Sequence, residues 1–226
     1  LTQSKETLKT KVLLIQELSF VEQLTQWLGA LYKDNIPMVC HNEMDTAYVD
    51  ELARIIAYEG VPPLADFGVL TSGTTGQPKP LWRREMSWRD FFDIQNDIFH
   101  INKDTKIFLQ GSFSFTGVSN MVIASLWAGG TVVTTSSLRP SRWMQLIEEY
   151  NVDHIYALPT KLRLLVRHCK SKLSSIKYII AGSQVLDRQL MEQLQHICPD
   201  MEFILYYGAS ELNYITYCTG KEWLAR

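Results

Sequence analysis

Thr71-Ser72-Gly73-Thr74-Thr75-Gly76-Gln77-Pro78-Lys79 is the stretch on which the reading of this chain turns. It follows a short apolar run, Phe67–Thr71, that predicts a strand, and Leu81–Arg84 returns as the strand's partner. Two glycines, four hydroxyl side chains and a lysine stand within nine residues. Glycine lets the backbone approach an anion closely. Backbone N–H groups and hydroxyls then donate to phosphate oxygens, and a lysine adds a point charge. These are the parts of a triphosphate cradle. It is not a Walker loop, because Gln77 and Pro78 separate Gly76 from Lys79.

Outward from this turn, strand-like and helix-like segments alternate. Before it come a strand at Val12–Gln16, a helix at Ser19–Tyr32, a strand at Ile36–Cys40 and a helix at Thr46–Tyr58. After it the order is regular. Helices are predicted at Ser87–Ile101, Val118–Ala128, Ser141–Tyr150, Lys161–Cys169 and Arg188–Ile197. Strands are predicted at Lys106–Gln110, Thr131–Thr134, His154–Leu158, Ile176–Ala181 and Glu202–Tyr206. Such alternation predicts an α/β fold with mainly parallel sheets. In open parallel sheets, ligands bind beyond the carboxyl ends of the strands. The turns after Thr71, Ala181 and Tyr206 are therefore the site candidates.

The bulk numbers exclude several classes. The 226 residues carry 22 Lys plus Arg against 24 Asp plus Glu, a formal charge of −2. That balance leaves no basic footprint, so a nucleic-acid partner is not expected. Met121–Val133, the longest apolar stretch, is too short to span a bilayer and contains Ser125 and a Gly129-Gly130 pair. Cys40, Cys169, Cys198 and Cys218 form no Cys-x-x-Cys pair. They read as reduced thiols, and the chain as cytoplasmic, with no transmembrane segment. His168 and Cys169 are adjacent, which on a helix makes a poor chelate. The other histidines, His41, His100, His154 and His196, read as structural, and no Ser/His/Asp or Cys/His set stands out.

Thr71–Lys79 resembles, residue for residue, the phosphate-binding loop of the adenylate-forming superfamily: acyl- and aryl-CoA synthetases, luciferases and the adenylation domains of peptide synthetases. Tyr207-Gly208-Ala209-Ser210-Glu211 resembles the same family's Tyr-Gly-x-Thr-Glu motif, in the expected order and spacing. The likeness is strong from Phe67 onward and weak before it. It implies the N-terminal, larger domain of that fold, incomplete, with an abbreviated α/β subdomain over residues 1–66 and a nucleotide-binding α/β subdomain over 67–226.

The resemblance also implies roles. Thr71, Ser72, Gly73, Thr74, Thr75, Gly76 and Lys79 would hold the β- and γ-phosphates of ATP. Gly182-Ser183-Gln184, just past a strand end, would line one face of adenine. Tyr206, Tyr207, Gly208 and Ala209 would form the other side, with the Tyr207 ring on the base. Ser210 would bond the α-phosphate, and Glu211 would hold Mg²⁺. Lys79, Ser210 and Glu211 are thus the catalytic candidates. The implied reaction activates a carboxylic acid with ATP and passes the acyl group to CoA, with AMP and pyrophosphate released. It needs no side-chain nucleophile.

Phe115, Thr116 and Gly117 match the region of the acid pocket. Amino-acid-activating relatives carry an aspartate where this chain has Thr116, so a fatty or aromatic acid fits better than an α-amino acid. An acyl carrier protein is the alternative acceptor to CoA. The resemblance further implies a ribose-binding aspartate, a hinge and a small C-terminal domain with a lysine, none of which lies within these 226 residues. The 226 residues alone are therefore expected to be inactive or weakly active in adenylation, and a nucleotide-binding remnant without turnover is the other functional reading.

Overall fold

Apolar four-residue runs become the strands, and the polar-apolar stretches between them become the helices. The computed structural model describes residues 11–16, 19–42, 44–71, 79–184 and 186–225. Its elements run β1 (Val12–Ile15), α1 (Phe20–Tyr32), β2 (Ile36–Val39), α2 (Thr46–Glu59), β3 (Phe67–Leu70), β4 (Pro80–Arg83) and α3 (Met86–Ile98). They continue with β5 (Lys106–Leu109), α4 (Thr116–Trp127), β6 (Thr131–Thr134), α5 (Pro140–Glu149), β7 (His154–Tyr156) and α6 (Pro159–His168). The last are β8 (Tyr178–Gly182), α7 (Arg188–Ile197), β9 (Glu202–Ala209), β10 (Asn213–Thr219) and α8 (Gly220–Leu224).

The chain divides into two compact units. Residues 1–88 with Ser112–Thr116 make the first, and Arg89–Gly111 with Gly117–Arg226 make the second. The first holds a four-stranded sheet in the order β1-β2-β3-β4, parallel except for the β3–β4 pair. The sequence placed a boundary at 66/67. The division falls elsewhere because β3 hydrogen-bonds β2, with Met38 opposite Gly68, and so joins the first sheet. Met38, Cys40, Val49, Leu52, Ile56 and Leu70 are its buried apolar cluster.

The second unit holds a six-stranded sheet, β10-β9-β8-β7-β5-β6, whose strands are parallel except at β9–β10. Parallel strands flanked by helices are buried on both faces, which is why Ile155, Ile179 and Ile180 are about 0–1% exposed. Helix α7 shows how the sequence enforces this. Leu190, Met191, Leu194 and Ile197 fall on one face and are buried. Its start is fixed by Asp187, whose side chain accepts from the Leu190 N–H at 2.8 Å. Helices α5 and α6 have no side-chain cap and start instead with a proline, whose missing N–H costs nothing there.

Most predicted elements are present within a residue or two. Helix α3 stops at Ile98 rather than Ile101, and three strand ends near the candidate residues differ, each for a local reason. The strand expected to reach Leu158 stops at Tyr156, because Leu158 caps α6 and Pro159 opens it. The strand expected to end at Ala181 includes Gly182, which pairs with Tyr206. The strand expected to end at Tyr206 runs on to Ala209 and turns back as β10, which the sequence reading lacked. Tyr207, Gly208 and Ala209 are therefore strand residues rather than loop residues. Gly208 permits this: a Cβ there would lie 2.5 Å from the Asn213 carbonyl oxygen and 3.0 Å from the Tyr214 Cα. Both obstacles are backbone and cannot swing aside.

At the opposite, amino end of this sheet, one Asp153 oxygen accepts from the Lys106 N–H at 2.9 Å and bonds the His154 Nδ1 at 2.7 Å. Burial works against the Asp153 charge, but these bonds and the nearby His154 and Lys177 outweigh it and hold its pKa below the usual value.

Two predictions follow from this packing. Gly208→Ala is expected to part β9 from β10 and lower stability by about 1–3 kcal/mol, read as a urea midpoint shift; an unchanged midpoint would contradict the crowding. Burial pushes the Cys40 thiol up to about 11, and burial with Cys169 nearby pushes Cys198 up to about 12. Because both folded values are raised, their contribution is complete below the unfolded thiol pKa of about 8.5 and is lost as pH climbs toward the folded values. Stability is thus expected to fall from about pH 9 upward, and iodoacetamide should label Cys40 and Cys198 only after unfolding. Labelling of the native chain at those two positions, mapped by mass spectrometry, would refute it.

Candidate functional site

The candidate residues are divided between the two units. In the first unit β3 and β4 are antiparallel, and the phosphate-loop candidate leaves one and enters the other. The Thr71 N–H donates to the Lys79 carbonyl at 3.1 Å, and the Lys79 N–H donates to the Thr71 hydroxyl at 3.2 Å. These two bonds close the mouth of the loop and fix where it begins and ends. Ser72, Gly73, Thr74, Thr75 and Gly76 lie outside the described residues.

Phe115 and Thr116 are also in the first unit. The Phe115 ring is 50% exposed and stacks on His41, with centroids 4.8 Å apart. Here the structure shows an arrangement the sequence did not: His41 Nδ1 lies 2.8 Å from the Ser114 hydroxyl. Their separation of 73 positions hid the pair. It resembles a nucleophile and its base, but the hydrogen directions say otherwise. The Phe113 N–H donates to Gln23 Oε1, which settles which end of that amide is oxygen. Ser112 then donates to the same oxygen, and Ser114 donates to Ser112 at 2.8 Å. Ser114 has used its hydrogen, so His41 Nδ1 must be the donor. The serine is held, not activated.

In the second unit Gly117, Gly182, Tyr156 and Tyr206 meet. The two phenol oxygens are 2.7 Å apart. A Cβ on Gly117 would lie 2.5 Å from the Tyr156 oxygen, and one on Gly182 would lie 2.6 Å from the Tyr206 ring. Gly117 is in helix α4 rather than a loop, and Gly182 is the last residue of β8; the first leaves room for the Tyr156 hydroxyl and the second for the Tyr206 ring. Burial raises the pKa of Tyr206 and pushes that of Tyr156 well above the ordinary value, so both stay protonated. One phenol donates to the other, which leaves one hydroxyl hydrogen to donate elsewhere.

Beyond Gly182, Ser183 has φ of 64°, a left-handed conformation that a non-glycine residue adopts at a cost. Gln184 accepts from the Thr160 N–H at 3.2 Å, tying the segment to the first turn of α6. Tyr207 follows Tyr206 on β9, points to the other face and is 63% exposed. Ala209 ends β9, and Ser210 and Glu211 form the turn into β10. Glu211 is exposed. Among the described residues, no group of three or more His, Cys, Asp or Glu side chains could hold a metal ion. One carboxylate suffices for Mg²⁺ that keeps phosphate and water oxygens as its other ligands, so Glu211 fits that ion and no all-protein cage.

The profile of the family described as AMP-binding enzyme matches residues 67–225, a span that contains Thr71–Lys79 and Tyr207–Glu211. The chain belongs to the AMP-binding enzyme family. A protein of Staphylococcus epidermidis named "Putative long chain fatty acid-CoA ligase VraA" is 31% identical to this AMP-binding chain over 197 residues, 85% of this chain and 39% of the relative. An acyl-CoA ligase of Bacillus subtilis, YhfT, is 26% identical over 67% of this chain and 32% of its own length. The chain therefore spans about a third to two fifths of these relatives. Among solved structures, O-succinylbenzoate coenzyme A synthetase of Bacillus subtilis with ATP and magnesium aligns over 96% of this chain and 53% of its own, at a TM-score of 0.78 and 15% identity. ATP-bound MatB of Rhodopseudomonas palustris aligns over 94% and 52%, at 0.75 and 15%. The fold is that of the N-terminal domains of adenylate-forming enzymes.

Gly182→Ala tests the aromatic wall. The added methyl must push the Tyr206 ring off its contact with Tyr156, and the expected outcome is a loss of about 1–3 kcal/mol in urea. Nucleotide affinity should weaken several-fold in the same variant. A variant as stable as the parent, with unchanged affinity, would remove the wall from the account.

Proposed function

We propose that the protein carrying this chain uses ATP to activate a carboxylic acid as an acyl-adenylate and passes the acyl group to CoA. The single observation that carries the reading is the family match over residues 67–225, which contains the loop from Thr71 to Lys79 and the hairpin turn at Ser210 and Glu211. The relatives named as acyl-CoA and fatty acid-CoA ligases support CoA as the acceptor. The fatty acid-CoA ligase name supports a fatty acid, and the uncharged Thr116 beside Phe115 supports a fatty or aromatic acid over an α-amino acid.

In this reading the residues position anions rather than react with them. Backbone amides and hydroxyls of Thr71–Gly76 and the Lys79 ammonium hold the β- and γ-phosphates, so that pyrophosphate departs as a bound, neutralised group. Tyr207 stacks on adenine, and the Gly182–Gln184 segment lines the other face. Ser210 donates to an α-phosphate oxygen, and Glu211 holds Mg²⁺, which supplies charge neutralisation at the phosphates when bound. The acid's carboxylate attacks the α-phosphorus in a step limited by how well the two anions are held together.

The test is calorimetric titration of the chain with ATP and Mg²⁺, beside Lys79→Ala and Glu211→Gln. Binding is expected in the parent and a loss of about tenfold or more in each variant. Pyrophosphate exchange by the full-length protein with fatty and aromatic acids should fall in the same two variants. A folded parent that binds no ATP, together with a full-length protein that exchanges none, would overturn the reading.

A further inference from the structure

Lys161 is the first-turn lysine of α6, and its ammonium donates to the Gln110 carbonyl at the carboxyl end of β5. It is half-buried, and no Asp or Glu among the described residues pairs with it. Gly111 lies alongside: a Cβ there would stand 3.6 Å from the ammonium, an ordinary contact, and would be tight only against a Val118 methyl at 3.2 Å. Desolvation lowers the Lys161 pKa, the mark of a cation that has lost water and gained no counter-charge. The α6 N-terminus adds its partial positive charge at the same place. A half-buried cation without an anion carries a cost that an anionic ligand would lower.

Sheet topology says which anion. Gln110 follows β5 and Ser210 follows β9, and in the order β9-β8-β7-β5 these strands are three spacings apart. At about 4.8 Å per spacing that is roughly 14 Å. The carboxylate to be activated must reach the α-phosphate near Ser210 and Glu211, so it cannot also pair with Lys161. We propose that Lys161 receives a second carboxylate, carried by the acid substrate at the end remote from the one that is activated. The substrate class is then a dicarboxylic acid. This rests on the reading of the protein as an acid-activating enzyme and narrows it.

The experiment uses the full-length protein, pyrophosphate exchange, and straight-chain and aromatic monocarboxylic acids beside dicarboxylic acids of matched length. The parent is expected to favour one or more dicarboxylates. Lys161→Met should lower kcat/KM for these by roughly 30-fold or more while leaving the matched monocarboxylates unchanged or improved. Lys161→Arg keeps the charge and should retain most of the preference. Should Lys161→Met fail to fold, Lys161→Gln takes its place, since it keeps a donor for the Gln110 carbonyl. A parent that prefers monocarboxylates, or a selectivity ratio that neither neutral variant moves, overturns the inference and leaves the acid-activating reading standing. A parent that turns over no acid removes that reading and this inference together.

Discussion

The parallel ladder β5-β7-β8-β9 is the constraint from which the second unit takes its form. Parallel strands need crossovers of a dozen residues or more, and the helices that supply them cover both faces of the sheet. Ile107, Ile155, Ile179 and Ile204 are therefore closed off from water, and the polar groups of the chain have nowhere to gather except at the strand ends. All four strands point the same way, so four carboxyl ends come out side by side. Tyr156, Gly182, Tyr206 and Gln110 are the residues found there. Without that ladder they would be scattered over a hundred positions of sequence with no common surface.

Much of this was legible in the sequence, and the reason is periodicity. Leu190, Met191, Leu194 and Ile197 announce one helical face, and β-branched runs such as Tyr178–Ala181 announce buried strands. The turn at Thr71–Lys79 stood out because its string of residues resembles a family's phosphate loop, and the bonds between Thr71 and Lys79 put its ends where the sequence did. The hairpin β9–β10 could not be read the same way. Asn213–Thr219 is polar and half-exposed and alternates poorly, since its role is to cover one edge of the sheet rather than to fill a core. The strand's extension through Tyr207–Ala209 was hidden for a related reason: it depends on a partner strand that local pattern does not reveal.

The contacts that sequence could not supply are those between residues far apart in the chain. The His41–Ser114–Ser112–Gln23 relay joins four side chains spread over 92 positions, and no spacing rule connects them. The same holds for the Lys161 ammonium on the Gln110 carbonyl. In both cases the pattern of hydrogen atoms carries more meaning than proximity. A serine beside a histidine is a nucleophile only if the histidine is free to accept, and here a backbone N–H three bonds away fixes the opposite direction.

The phenol pair over Gly182 has a consequence of its own. Acid–base groups of most binding walls change their donor count somewhere between pH 5 and 9, so the ligands they select drift with the medium. Tyr156 and Tyr206 keep both hydrogens throughout that range, because burial moves their titration far to the alkaline side. The pair therefore keeps the same single hydrogen to donate beyond itself across that whole range, set by the fold rather than by the proton concentration around it.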